Sequence, residues 1–240
     1  RHSHRVFWAM LATGVRGLFR LGELTVDNTT AASNQERLVR QSDLTRFRDR
    51  SCSGYALKLR VSKTDPFRES TTVYLFHTGD TVCAASALDD LQKRCPFARN
   101  GDTPLFALAN RQPLLRPMFI TWLQQCIRRV NQKFGLNYDW SKFSGHSLRR
   151  GGATSLAAKG VSEQLIQVMG RWKSNTHRVY IDNPRAKLFA ATSSINISKR
   201  QDNTELVEAC LKGLDAPYEP EVGGLKRGGR ASYLGSLGSV

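Results

Sequence analysis

Carboxylates are scarce in this chain: 20 Asp and Glu stand against 36 Lys and Arg, giving a formal net charge of +16 over 240 residues and a pI near 10.2. Such a surplus is the electrostatic footprint of a partner for a polyanion, nucleic acid first. Cysteine is sparse too. The five, Cys52, Cys83, Cys95, Cys126 and Cys210, are odd in number, widely spaced and free of any CxxC pair. That spacing argues against a disulfide framework or a zinc site and predicts reduced thiols in an intracellular protein. No apolar run approaches the ~20 residues of a membrane span. The opening "RHSHRVFWAM" lacks the apolar core of a signal peptide and enters a helical pattern almost at once, so the chain is expected to be a piece of a longer protein. With 40% apolar residues there is enough material for a real core.

What is present is mostly helical periodicity. From Val6 to Leu24 apolar residues recur at helical spacing around "TG" at Thr13-Gly14, which predicts two helices with a break there. "YALKLRVSK", residues 55–63, alternates, with Tyr55, Leu57, Leu59 and Val61 on one face. "TTVYLF", residues 71–76, is rich in strand formers, and the two predict a β-hairpin with Lys63 at its turn. "AASALDDLQKRC", "PMFITWLQQCIRRVNQKF", "HSLRRGGATSLAAKG" and "SEQLIQVMG" read as helices. Gly160 and Gly170 stand as C-terminal stops and Ser162 as an N-cap. The expected fold is mainly α (α+β), a helical domain with a small antiparallel sheet. After Pro184 the pattern loosens: residues 203–214 could form one amphipathic helix, and the Gly-, Ser- and Pro-rich remainder is expected to be mobile.

The chemistry gathers at "FSGHSLRRGG", residues 143–152. His146 and Arg149, three apart, are expected on one helix face, with Arg150 turned about 100° away. A helix start with a histidine and a forked guanidinium beside it suits a phosphate. Trp172 follows His146 by twenty-six residues in "MGRWKSNTHRVYID", and Tyr180 follows eight later. Upstream, "FRLGEL" offers Arg20 and, three residues on, Glu23, expected on the same helix face.

The ordered set Arg20, Lys63, His146, Arg149, Trp172, Tyr180 resembles the tyrosine recombinases, the phage-integrase-like DNA strand-transfer enzymes, over residues 5–183. "SKTDPFR", "SGHSLRRGGATSLAAKGV" and "GRWKSNTHRVYI" look most like the versions in Crypton- and DIRS-type eukaryotic mobile elements. Arg20 is chosen over Arg16 because "RLGEL" matches the family's R-x-[SG]-E-L form. The resemblance implies a helical catalytic domain over 1–183, preceded in the family by a core-binding domain not in this chain, and an extension over 184–240 whose 203–214 helix would dock on a neighbouring protomer.

It also implies the chemistry. A tyrosine, here Tyr180, attacks a DNA phosphodiester to give a 3′-phosphotyrosine and a free 5′-hydroxyl, with no metal and no nucleotide cofactor. Two guanidiniums, Arg20 and Arg149, stabilise the charge developing on the non-bridging oxygens. Lys63 protonates the leaving oxygen. The phenol, with a pKa of about 10 in water, gives its proton to His146, as acceptor or relay. Trp172 donates its indole N–H to the phosphate, and Glu23 orients Arg20. Expected partners are double-stranded DNA, at element termini and target site, and the chain itself as a tetramer on paired sites, in the nucleus. Arg16, Lys58, Arg60, Lys142, Arg150, Lys173 and Arg178 are the expected backbone contacts, with Arg128, Arg129 and Lys159 as further basic residues. Two other readings stay open: a type IB topoisomerase relaxing supercoils by the same chemistry, and a non-catalytic DNA-binding descendant of a recombinase. Whether Tyr180 acts in its own site or a neighbour's also stays open.

Overall fold

The computed structural model describes residues 1–30, 32–50, 52–60, 71–94 and 101–172. Over these the fold is mainly α with one small antiparallel sheet, as expected. The helices are α1 (His2–Arg16), α2 (Leu21–Leu24), α3 (Ala32–Arg37), α4 (Ala84–Arg94), α5 (Arg116–Phe134), α6 (Gly145–Ala158) and α7 (Glu163–Gly170). The strands β1 (Leu44–Arg48), β2 (Ser53–Leu59) and β3 (Thr71–Phe76) lie in the order β1-β2-β3. The predicted hairpin is β2 and β3, with Tyr55 opposite Leu75 and Leu57 opposite Val73. Val61, Lys63 and the turn between the strands lie outside the described residues, as do Lys173, Arg178, Tyr180 and the predicted 203–214 helix.

α1 is the axis of the core. Val6, Phe7, Ala9 and Met10 are fully buried, and Phe7 meets α5 through Phe119 at 5.0 Å and Trp122 at 6.0 Å between ring centroids. The inner face of the sheet, Tyr55, Leu57, Leu59, Val73 and Leu75, closes the same core against α4. A smaller cluster of Leu18, Ala153, Ile166 and Trp172 joins the end of α1 to α6 and α7.

The expected break at Thr13-Gly14 does not occur. α1 runs unbroken to Arg16 because Gly14 serves close packing: a Cβ there would press into the Leu148 side chain of α6. The chain turns instead at Gly17–Phe19, where the buried Leu18 takes φ 49°. β1 was not anticipated. Its "LTRFR" carries three polar residues in five, and it becomes a strand by pairing with β2, Leu44 opposite Leu57 and Phe47 opposite Gly54. Gly160 ends α6 with φ 76°, as expected, and Ser162 caps α7 by accepting from the Leu165 N–H at 3.3 Å. Gly170 is not the left-handed stop of α7; that is Arg171, φ 58°. Gly170 is required for another reason, since a Cβ there would overlap the Trp172 ring.

A polar strap ties sheet to helix. The Asp89 carboxylate on α4 accepts from the Tyr55 hydroxyl at 2.7 Å and from His77 Nε2 at 2.7 Å, and Arg46 of β1 lies 3.4 Å from it. On the other side of the ring, His77 Nδ1 lies 3.2 Å from the Ser53 hydroxyl. The residue types are those of a hydrolytic triad, but the carboxylate is shared with a tyrosine and an arginine, so the group acts as a cross-link between β1, β2, β3 and α4.

Burial, then the bond to Asp89, pushes the Tyr55 hydroxyl up to about 12. A group whose pKa rises on folding stabilises the fold fully below its unfolded value, about 10, and that contribution is lost as pH climbs to the folded value. Stability should therefore fall between pH 10 and 12, and Tyr55→Phe should flatten that limb in urea melts followed against pH. At the α1–α6 contact, a Gly152 Cβ would overlap the Val15 carbonyl oxygen and the Leu18 side chain. Gly152→Ala should cost about 1–3 kcal/mol, read as a lower midpoint in the same melts at neutral pH.

Candidate functional site

The turn from α1 into α2 is where distant parts of the chain meet. Gly17 and Leu18 lie at the end of α1, and α6 and the end of α7 pack against them. The left-handed conformation of Leu18 is one that non-glycine residues seldom adopt. Its carbonyl accepts from Arg149 Nη1 at 2.7 Å and from Arg171 Nη2 at 3.3 Å.

Arg149 is 1% exposed, extraordinary for a residue type that is almost never fully buried unless paired. Its second Nη donates to the Gly170 carbonyl, and its guanidinium carbon sits 4.0 Å from the centre of the Trp172 ring. That face-on contact is a cation–π pair, and burial of Trp172 to 8% exposure strengthens it by desolvation.

Arg171 is a second cation in this junction, its side chain 12% exposed, and the sequence reading did not nominate it. Its Nη1 donates to the carbonyls of Gly17 at 3.0 Å and Met169 at 3.1 Å, and its Nη2 reaches Glu23 Oε2 at 2.9 Å. Its guanidinium also lies 4.8 Å from the Phe19 ring centre. Burial lowers the Arg171 pKa from its ordinary value and the Glu23 carboxylate opposes that shift. The signal available in sequence was "MGRW", in which an arginine follows a glycine at a helix end.

Glu23 is 5% exposed and joins two arginines. One oxygen takes Arg20 Nη1 at 2.9 Å; the other takes the Arg20 backbone N–H at 2.8 Å as well as Arg171. The Arg20–Glu23 pairing expected from the sequence is therefore formed, by a different route. Arg20 is not on a helix face; it is the N-cap of α2, in extended conformation, and Glu23 is the third residue of that helix reaching back to it.

Arg20, Glu23, Arg149 and Trp172, up to 152 residues apart, are thus linked through Arg171: Arg20 and Arg171 share the Glu23 carboxylate, and Arg171 and Arg149, which stacks on Trp172, share the Leu18 carbonyl. His146 is at the start of α6, where the preceding Gly145 would bring a Cβ to 2.9 Å from Leu21 of α2. The expected common face of His146 and Arg149 divides by depth: His146 is exposed while Arg149 points into the α1–α6–α7 junction. Helical spacing sets direction around the axis, and the neighbouring turn decides which side chain is covered. Lys63 and Tyr180 lie outside the described residues, as do Lys173 and Arg178.

The expected DNA contacts sort into two groups. Arg16 donates to the Val82 carbonyl at 3.0 Å and pairs with Asp80, and Arg60 grips the buried Asp43 at 2.8 Å through Nε. These two hold the protein together in this structure. Lys58, Arg150 and Lys142 are exposed, Lys142 lying 3.4 Å from Asp139.

No protein-family model and no curated protein matches this chain.

Glu23→Gln keeps the shape of the carboxylate and removes the charge that holds Arg171. Breaking a buried pair from one side costs about 3–5 kcal/mol because the remaining charge is left uncompensated. Glu23→Gln should lower stability by about that amount, and adding Arg171→Leu should restore much of it. A double-mutant cycle by denaturant unfolding measures both.

Proposed function

We propose that this chain is the catalytic domain of a tyrosine recombinase, cutting and rejoining DNA strands through a covalent 3′-phosphotyrosine to integrate or excise a mobile element. What supports the reading most is one observation: Arg20, Arg149 and Trp172, nominated only by their order in the sequence, are neighbours around the α1–α2 turn. The surplus of +16 and the exposed Lys58, Lys142 and Arg150 agree with a DNA partner.

In this reading Tyr180 attacks the scissile phosphorus, its proton passing to His146, which is exposed at the start of α6. Lys63 protonates the departing 5′-oxygen, so that one P–O bond forms as another breaks and no external energy source is consumed. Arg20 is the guanidinium nearest to solvent, 26% exposed and oriented by Glu23. It meets the non-bridging oxygens first. Arg149 is covered by Trp172 and holds the Leu18 and Gly170 carbonyls. For it to grip a phosphate, the 170–172 segment that covers it must shift when DNA arrives. The reading extends to a tetramer on paired duplex sites and to work in the nucleus.

The burial of Arg149 favours a second reading, a DNA-binding descendant in which the arginine has become purely structural. Covalent trapping separates the two. The folded chain is incubated with a nicked suicide duplex, without added metal, beside Tyr180→Phe and Arg149→Ala, and resolved on a denaturing gel. Strand transfer predicts an adduct that vanishes with Tyr180→Phe and falls about 10²–10³-fold in rate with Arg149→Ala. No adduct from protein shown to be folded and bound to that duplex would select the second reading.

A further inference from the structure

The outer face of the sheet carries a surface that the strand-transfer reading does not use. Alternation along the strands sends Tyr55, Leu57, Leu59, Val73 and Leu75 inward, so the opposite face presents Thr45 and Phe47 from β1, Gly54, Ala56 and Lys58 from β2, and Thr72, Tyr74 and Phe76 from β3. Three aromatic rings share that face and meet one another. Phe47 stands edge-on to Tyr74, 5.6 Å and 87°, and to Phe76, 5.7 Å and 85°, while Tyr74 and Phe76 lie near parallel at 6.3 Å and 25°.

The register explains how they meet. Gly54 lies between Phe47 and Phe76, and Ala56 lies between Thr45 and Tyr74, so the middle strand offers almost no side chain and the rings lean over it. Yet they are not covered. Tyr74 is 57% exposed and Phe76 45%.

We propose that this face is a stacking platform for unpaired bases of a single-stranded nucleic acid. The chemistry of the face selects that occupant. Among its described strand residues it holds no aliphatic side chain beyond Ala56, and so none of the leucines and isoleucines with which an apolar protein partner would form a core. It holds instead two broadly exposed π systems, two threonine hydroxyls and one ammonium, Lys58, with no carboxylate among its strand residues. Arg46 and Arg48 alternate with Thr45 and Phe47 and so belong to the other face, Arg46 at Asp89, which leaves Lys58 as the cation among the strand residues of this one. Rings take base faces and cations take phosphates, the combination by which open sheets hold single strands without reading sequence. A paired duplex hides its base faces inside the stack and offers only edges. The ligand is therefore the unpaired strand.

The platform needs neither Tyr180 nor the arginines of the junction, so it can be tested apart from strand transfer, in the whole 240-residue chain carrying Tyr180→Phe. Fluorescence anisotropy would compare a short labelled oligothymidylate, its RNA counterpart, and an abasic deoxyribose-phosphate oligomer of equal length and charge. Tyr74→Ala and Phe76→Ala should each weaken binding of the base-bearing strands about tenfold, leave the abasic oligomer unchanged and leave the melting curve intact, while Tyr74→Phe should keep most of the affinity. Equal weakening of all three oligomers would mean that charge alone is at work and overturn the platform. So would unchanged binding with altered sedimentation of the alanine variants, which would make the face an interface between copies of this chain. An adduct assay that fails while the base-dependent loss holds would strike only at strand transfer.

Discussion

Two guanidiniums in the same junction, Arg149 buried and Arg171 largely shielded, have to be satisfied by groups that stay in place, and the shape of this end of the molecule follows from that requirement. Taking a cation out of water costs several kcal/mol even after relaxation. Here the compensation comes mainly from main-chain carbonyls: Leu18 and Gly170 for Arg149, and Gly17, Met169 and Leu18 for Arg171. A carbonyl can be aimed only by the backbone that carries it. The left-handed turn at Leu18 and the left-handed end of α7 at Arg171 are two places where the chain accepts unfavourable torsions, and both aim donors or acceptors into this junction. Close approach of α1 and α6, made possible by Gly14 and Gly152, keeps the distances short.

Glu23 gives the cluster its asymmetry. It is the buried carboxylate between Arg20 and Arg171, and it also caps the N–H of Arg20, so three donors converge on two oxygens. One arginine is thereby locked inside while the other is held half at the surface with its fork oriented. Preorganising a cation in this way costs nothing at the moment an anion binds, since the side-chain entropy is already lost. A lone arginine on a flexible surface would have to be ordered by its ligand.

How much of this was legible in the sequence depends on the scale of the signal. The helices from α4 to α7 announced themselves because an apolar period persists over several turns, and the β2–β3 pairing because alternation is unambiguous over a strand buried on one side. β1 was invisible, since "LTRFR" at the sheet edge keeps its three polar residues exposed and is a strand only by virtue of its neighbour. The glycines misled in both directions. Gly14 suggested a break where it permits a helix crossing, and Gly170 suggested a stop where it makes room for Trp172. In the candidate site the identities of Arg20, Glu23, Arg149 and Trp172 were legible from their order, and their convergence is a tertiary fact. The depth of Arg149 relative to His146, and the part played by Arg171, were not legible, because both are decided by contacts with Gly17 and Leu18, more than a hundred residues away in sequence.

The sheet shows why the two faces of one small element can serve different ends. Its inner face is fixed by apolar packing and by the Tyr55–Asp89–His77 strap, so the register of β2 against both neighbours is firmly set. A fixed register on the inside fixes the outside as well, because alternate residues have no freedom to exchange faces. The rings of Phe47, Tyr74 and Phe76 are therefore held in mutual positions determined by burial elsewhere, which explains how an exposed aromatic group keeps defined edge-on geometry instead of collapsing onto the surface. A ligand that stacks on them meets a rigid support. The same rigidity runs through α4 into the core around α1, and from the end of α1 into the arginine cluster, so sheet face and candidate site are two surfaces carried by one packed framework.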